Sequence, residues 1–282
     1  MTTIFRALTA HDIERCHAMT QQLKWPHRRE DWQQAIMLGE GVVIEDQGEL
    51  LGSAMLWRWG ERAATIGLVM VDGQQQGRGL GKQLMLTLLE KVPDYNVRLH
   101  ATEMGKGLYE KLGFVVTGQI LQYQTRSLDA TPTVSLPAGL QLRRAQAQDA
   151  PALTALDQQA HGMLRPQLIA HLIHQHQTVL LEDAQGEIHG FASLRRFGHG
   201  WAIGPVIATA FAVAQALIAS LMQGLRGEFV RIDTDAALPL AGWLATLGLA
   251  QVDNPTTMVR GTPWTPPAGG MQAFGLMTQA MA

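Results

Sequence analysis

The sequence predicts an α/β fold built twice, each copy a mixed central sheet flanked by helices, and three observations carry that expectation. First, GELLGSAML at 48–56 returns as GEIHGFASL at 186–194, an offset of 138 with five of nine positions identical. Second, matches on either side keep their order. Phe5, Arg6, Ala10 and Asp12 answer to Leu142, Arg143, Ala147 and Asp149 at an offset of 137, as do Ile66, Gly67 and Val69 to Ile203, Gly204 and Val206. VRLHAT at 97–102 matches VRIDTD at 230–235, and Leu112-Gly113 matches Leu247-Gly248, at offsets of 133 and 135. Self-similarity that keeps its order is the mark of a duplicated unit. Third, within a copy the hydrophobic period changes repeatedly between the two of a strand and the 3.6 of a helix, the pattern of an α/β sheet.

Taken in order, the first copy opens on a short strand around Phe5, followed by two amphipathic stretches, HDIERCHAMTQQL and REDWQQAIML, that predict helices. The apolar runs GVVIED, LLGSAMLW and ATIGLVMV predict three strands. KQLMLTLLEKV predicts a helix, VRLHAT a strand, and a further helix and final strands complete the unit. Between residues 127 and 139 (SLDATPTVSLPAG) prolines and small polar residues interrupt all periodicity, which predicts a linker. The expected organisation is a first domain at 1–127, a linker at 128–139, a second domain at 140–262 and a tail at 263–282. That tail begins rich in proline and glycine and ends apolar, so a helix docked on the body or on another subunit is expected, which leaves a homodimer open.

With 46% hydrophobic and 16% charged residues and a formal net charge of −2, the chain reads as an ordinary soluble globular protein without an electrostatic footprint for nucleic acid. Cys16 is the only cysteine, so no intramolecular disulfide can form and a reducing, cytoplasmic setting is expected. Charges interrupt the N-terminal MTTIFRALTAHDIER, which does not read as a signal peptide. The run Ile203 to Met222 holds twenty uncharged residues, yet its alanines, Pro205 and Gln215 and the lack of flanking basic clusters favour a buried strand and helix over a membrane span. His161, His171, His174 and His176 do not share a helix face at their spacings and no cysteine joins them, so no metal site is expected.

The chemistry is concentrated after the strand ATIGLVMV, where Gly77, Gly79 and Gly81 stand between that strand and an apolar-periodic helix. Glycines at alternate positions let backbone amides close around an anion, the following helix adds its positive N-terminal end, and Arg78 and Lys82 add charge at the mouth. The spacing fits neither a P-loop nor the dinucleotide fingerprint. Gln76-Gly77-Arg78-Gly79-Leu80-Gly81 resembles the Q/R-x-x-G-x-G/A signature of the GNAT superfamily of N-acetyltransferases, and Leu108-Tyr109-Glu110-Lys111-Leu112-Gly113-Phe114 resembles its second hallmark, about thirty residues on.

That resemblance, which covers residues 4–126, implies acetyl-coenzyme A as cosubstrate and a small-molecule or peptide amine as acceptor. It implies further that backbone groups of Val69, Met70 and Val71 pair with the pantetheine arm, and that amides from Gly77 to Lys82, following Gln76, hold the pyrophosphate. Tyr109 is implied as the acid that protonates the departing thiolate. Two positions depart from the family pattern: Gly73 stands where proline is frequent, and Thr102 where an asparagine often bonds the coenzyme arm, a role its hydroxyl could fill. The expected fourth strand, Ala63 to Val71, carries no ionisable side chain, which leaves Asp72, His100 and Glu103 as the nearest candidates for a base, or a water relay in their place.

In the second copy Ala210, Phe211 and Ala212 fall where the glycine loop stood, the segment is about four residues shorter, and Leu244 aligns with Tyr109. This copy is expected to be disarmed and to pack against the first, completing its sheet or shaping an acceptor pocket. The layout resembles tandem GNAT proteins, with Ala101-Thr102, Gly105 and Leu108-Tyr109 in the first half and Ile203-Gly204-Pro205-Val206 in the second. Arg165, Arg195, Asp233 and Arg260 are candidates to line the pocket. The expected activity is acyl transfer to an amine by direct attack; a sensor that binds acetyl-coenzyme A without turnover and a scaffold with a fossil loop are the alternatives.

Overall fold

The computed structural model describes residues 3–281. The first copy runs β1 (Ile4–Ala7), α1 (Ile13–Gln22), α2 (Arg29–Leu38), β2 (Glu40–Asp46), β3 (Glu49–Trp59), β4 (Ala63–Val71), α3 (Leu80–Leu89), β5 (Asn96–Ala101), α4 (Glu103–Lys111) and β6 (Val115–Thr125). The second repeats it: β7 (Gln141–Arg144), α5 (Ala150–His161), α6 (Pro166–Gln175), β8 (Gln177–Glu182), β9 (Ile188–Phe197), β10 (Gly200–Ala208), α7 (Phe211–Met222), β11 (Val230–Asp235), α8 (Leu240–Thr246), β12 (Ala250–Asp253) and β13 (Thr256–Arg260). The tail adds β14 (Gln272–Gly275), so the apolar end expected as a helix is a strand.

The repeat is physical as well as textual. Arg6 donates to Asp12 at 2.7 and 2.8 Å and to Glu45 at 2.6 Å, and Arg143 donates to Asp149 at 2.7 and 2.9 Å and to Glu182 at 2.8 Å. In each copy the same arginine thus ties the first strand to the second and to the turn that opens the first helix. The aspartate in turn accepts the backbone N–H of Thr9 or Gln146, at 2.9 and 2.7 Å. Loss of the arginine would leave the buried Asp12 or Asp149 without its counter-charge.

All fourteen strands join in one sheet, ordered β1-β2-β3-β4-β5-β13-β6-β11-β10-β9-β8-β7, with β12 on β6 and β14 on β10. The linker does not divide this sheet. β6 of the first copy lies beside β11 of the second, and β13 of the second inserts between β5 and β6. Each copy therefore finishes the other's sheet. One apolar core spans the halves, joining Trp32, Trp57 and Trp59 to Leu168, Ile169, Leu172, Met277 and Met281. Two further cores lie under α3 and α7. The run from Ile203 to Met222 is the end of β10 and the buried α7, and no helix among the described residues is long and apolar enough to cross a membrane.

Both copies splay open at the same place. β4 pairs with β5 only through Ala63, Ala64 and Thr65, and β10 with β11 only through Trp201 and Ala202. Beyond Thr65 the cause is a bulge: Leu68 sits at φ 51° and the register against β3 shifts between Ser53 and Met55. A bulge raises local twist and bends one strand away from its neighbour.

The tail treats the two wedges differently. β14 fills that of the second copy, pairing antiparallel with Val206, Ile207 and Ala208. These are the residues that answer to Val69, Met70 and Val71. It crosses β10 at Gly204, where a Cβ would lie 1.9 Å from the Leu276 carbonyl oxygen. It then passes β4 at the equivalent Gly67, where a Cβ would lie 2.8 Å from Ala280 Cα. Only glycine admits the tail at either crossing.

Candidate functional site

The wedge between β4 and β5 leads into a cavity of about 310 Å³. Its walls come from both copies: β4 from Ile66 to Val69, β5 at Leu99 and His100, Thr102 and Tyr109, the α1–α2 loop from Lys24 to His27, Phe197, Arg231, and the tail from Thr278 to Ala280. The expectation that the second copy shapes a pocket at the interface agrees with this lining.

At one end stands the glycine loop. Gly77 and Gly79 have φ of 78° and 76°, left-handed values that favour glycine, and an added Cβ at either would meet no atom within 4 Å. The loop therefore faces open space rather than packing. Backbone N–H groups from Gln76 to Lys82 donate no hydrogen bond among the described residues, and Gly79 caps the N-terminus of α3. Free amides with a helix dipole behind them form a cradle for an anion, which fits the diphosphate of a coenzyme. Arg78 and Lys82 are exposed at its edge, Arg78 bonded to Gln75. Gly81 packs the loop to the wedge, since its Cβ position is 3.5 Å from Leu108 and 3.8 Å from Val71.

Along β4 the side toward β5 is unpaired beyond Thr65, so backbone groups of Val69, Met70 and Val71 are free there to bond an extended arm. The second copy displays that capacity directly: its equivalents already bond a strand.

Tyr109 is held at the wedge by the structure of its motif. Gly113, at φ 85°, ends α4 in a left-handed turn, with Gly113 N–H donating to Glu110 O at 3.1 Å and Phe114 N–H to Tyr109 O at 3.1 Å. The turn returns Phe114 edge-on to the Tyr109 ring, centroids 6.0 Å apart. Gly105 makes room for that ring, because a Cβ there would lie 2.9 Å from it. Burial pushes the Tyr109 phenol up to about 12, so it is protonated at neutral pH. The second copy keeps the turn, with Gly248 at φ 81° and Leu249 N–H on Leu244 O at 3.2 Å, but Leu244 has no hydroxyl.

The base candidates separate. Asp72 caps the turn after β4, accepting the Gln74 N–H at 2.9 Å, and Glu103 is exposed in the first turn of α4. His100 lines the cavity. Its Nδ1 lies 2.7 Å from the Gln279 carbonyl oxygen and so carries the proton, leaving Nε2 as an acceptor with no partner among the described residues. Burial holds its pKa down near 4. Thr102, exposed at the N-cap of α4, also lines the cavity, its hydroxyl committed to no cap.

Cys16 is fully buried and its thiol pushed up to about 12 by burial, which removes it as a nucleophile. The four histidines singled out in the second copy do not form one cluster: His161 is buried against Arg98 and Asp157, His171 and His176 meet edge to face, and His174 is exposed. Arg165 is consumed in a buried bidentate pair with Asp157 at 2.7 and 2.6 Å, so it does not line the pocket, and Arg260 lies near Gly113 on β13. Arg195 lies behind the wall at Phe197. Sequence reasoning missed Arg231, Phe197 and the Lys24 to His27 loop. A signal for Arg231 was present, since alternation along VRIDTD places it on one strand face with Asp233. In the second copy two residues (209–210) separate strand from helix where eight (72–79) do in the first; α7 is two residues longer than α3, so loop and helix together are four residues shorter, as expected.

Burial of neutral histidines predicts acid sensitivity. His27 and His100 are held near 4, and His161 well below its ordinary 6.5, all first by desolvation. Between those values the unfolded chain binds protons that the folded one does not. Stability is therefore complete above pH 6.5 and falls as pH drops toward 4, by up to about 1.4 kcal/mol per pH unit for each group. Thermal unfolding across pH 7.5 to 5 should show Tm falling steadily below 6.5; a flat profile would contradict the burial described.

Comparison with known proteins agrees with this geometry. Two models of the acetyltransferase (GNAT) domain match, one over residues 12–126 and one over 153–272. The uncharacterised N-acetyltransferase YitH of Bacillus subtilis is 31% identical over 211 residues, covering 74% of this chain and 73% of that protein. Among solved structures, a candidate acetyltransferase from Pyrococcus horikoshii superposes with a TM-score of 0.81 at 22% identity, over 99% of this chain and 96% of that one. A tandem GNAT protein from the clavulanic acid biosynthesis pathway gives 0.64 at 14% identity, over 93% and 100%.

Proposed function

The chain belongs to the GNAT acetyltransferase family, and on that premise we propose that its first copy transfers the acetyl group of acetyl-coenzyme A to an amine by direct attack in the cavity between the copies. The observation that carries this reading is the convergence of a free amide cradle, an unpaired strand edge and a protonated tyrosine on one wedge. Acetyl-coenzyme A supplies an activated acyl carbon: the amine nitrogen bonds it, the carbon–sulfur bond breaks, and the amine loses a proton.

The chain's own residues divide the work. Amides from Gly77 to Lys82 hold the pyrophosphate, with Gln76 leading into the loop and Leu80 buried to anchor it. Val69, Met70 and Val71 bond the pantetheine arm as Val206, Ile207 and Ala208 bond the tail. Tyr109 keeps its proton until a thiolate needs it. His100 accepts the amine N–H at Nε2 and orients the nitrogen; its low pKa makes it a poor final store for the proton, which passes on to solvent. With Cys16 inert, no acyl-enzyme is formed and catalysis rests on positioning.

The test is a thiol-release assay on the purified protein with acetyl-coenzyme A and a panel of amines, the product identified by mass. Thiol released in step with acetylated amine is expected. Coenzyme binding without any amine-dependent release would contradict the reading and favour a sensor.

A further inference from the structure

The cavity wall at Phe197 carries more positive charge than the protein itself balances. Arg231 lines the cavity and spends two nitrogens on Asp233, Nε at 3.0 Å and Nη2 at 2.8 Å, while its Nη1 has no partner among the described residues. Behind Phe197, with its guanidinium carbon 5.0 Å from the ring centroid, lies Arg195. Arg195 is 3% exposed; Nη2 donates to the Met277 carbonyl, and Nε and Nη1 are buried with no partner. The carboxylates that act on it are both committed. Asp233 serves Arg231, and Asp31 takes Arg28 at 3.1 and 2.8 Å as well as the Gly198 N–H. Three guanidiniums thus share two carboxylates in a place where an uncompensated charge is costly.

The mouth adds no net charge to this excess. Lys24, held at φ 57°, lines the cavity without an ion pair, against the single carboxylate Asp253. Trp25, Pro26 and Val252 add an apolar face beside the polar Gln122, Thr278 and Gln279.

We propose that the acceptor amine carries a carboxylate, which Arg231 binds through Nη1 with Arg195 reinforcing the field from behind, so that the acceptor is a small amino-acid-like molecule with an apolar body. A planar carboxylate matches a guanidinium edge, and the cavity volume of about 310 Å³ suits a molecule of that size. The inference rests on the acetyl-transfer reading, and its test separates the two.

A panel of apolar L-amino acids is assayed beside the matched carboxamides and decarboxylated amines, by thiol release and by calorimetric titration of the full chain. The carboxylated members should bind and turn over best. Arg231→Gln should raise their KM by about 10- to 100-fold while leaving the KM of the decarboxylated amines nearly unchanged, and Arg231→Lys should recover part of the loss. Acetyl-coenzyme A affinity and Tm report whether the variants fold; if Arg231→Gln does not, Lys24→Gln at the exposed mouth should show a smaller shift with the same carboxylate dependence. Carboxylate-dependent binding without turnover would uphold this inference and overturn acetyl transfer. Turnover that ignores the carboxylate, in the wild type or in the variants, would overturn the inference and leave transfer standing.

Discussion

Tyr109→Phe lowers kcat by about 100-fold or more while leaving the Kd of acetyl-coenzyme A within about twofold, because a positioned general acid typically contributes 10²–10⁴ in rate. The separation follows from the local structure. Phe keeps the ring that lies against Gly105 and Phe114, so α4 and its closing turn at Gly113 stay in place. What is removed is one hydroxyl, whose pKa is pushed up to about 12. Steady-state rates beside equilibrium titration check this. An unchanged kcat would remove the hydroxyl from the mechanism, and a large loss of coenzyme affinity would show that Tyr109 is structural.

Gly79→Asp should abolish measurable coenzyme binding, a loss of at least about 100-fold, for two separable reasons. At φ 76° a non-glycine residue costs on the order of 1–2 kcal/mol. An aspartate also places a negative charge at the N-cap of α3, where the pyrophosphate should lie. Gly79→Ala carries only the first cost and should weaken binding by about tenfold. The position is exposed and no atom lies within 4 Å of the added Cβ, so neither variant disturbs the core. Equal affinity in Gly79→Asp would place the coenzyme elsewhere.

What could be read from the chain, and what could not, divides along the range of the interactions. The glycine loop and the LYEKLGF turn are local devices: Gly79 at a helix start and Gly113 at a helix end are dictated by backbone conformation within a few residues. The duplication was legible because matched segments such as 48–56 and 186–194 keep their order at nearly fixed offsets, and the Arg and Asp of a network found in each copy are among the matched positions. The exchange of β6 and β13 left no local trace, since a strand's own pattern does not name its neighbour. The tail misled for a related reason. Its apolar end could serve either a helix or a strand, and the choice was made by the open wedge of β10, more than sixty residues away in the chain. The cavity wall was hidden likewise, because Lys24, Phe197, Arg231 and Gln279 meet only after both copies pack.

On the proposed reading two copies of one fold present one coenzyme groove, the other being filled by the chain's own strand β14. Calorimetric titration of the purified protein with acetyl-coenzyme A tests it most directly. One site per chain is the predicted result; two sites would show that the groove along Val206 to Ala208 opens despite β14, and no binding would show that the amide cradle at Gly77 to Lys82 does not hold the coenzyme.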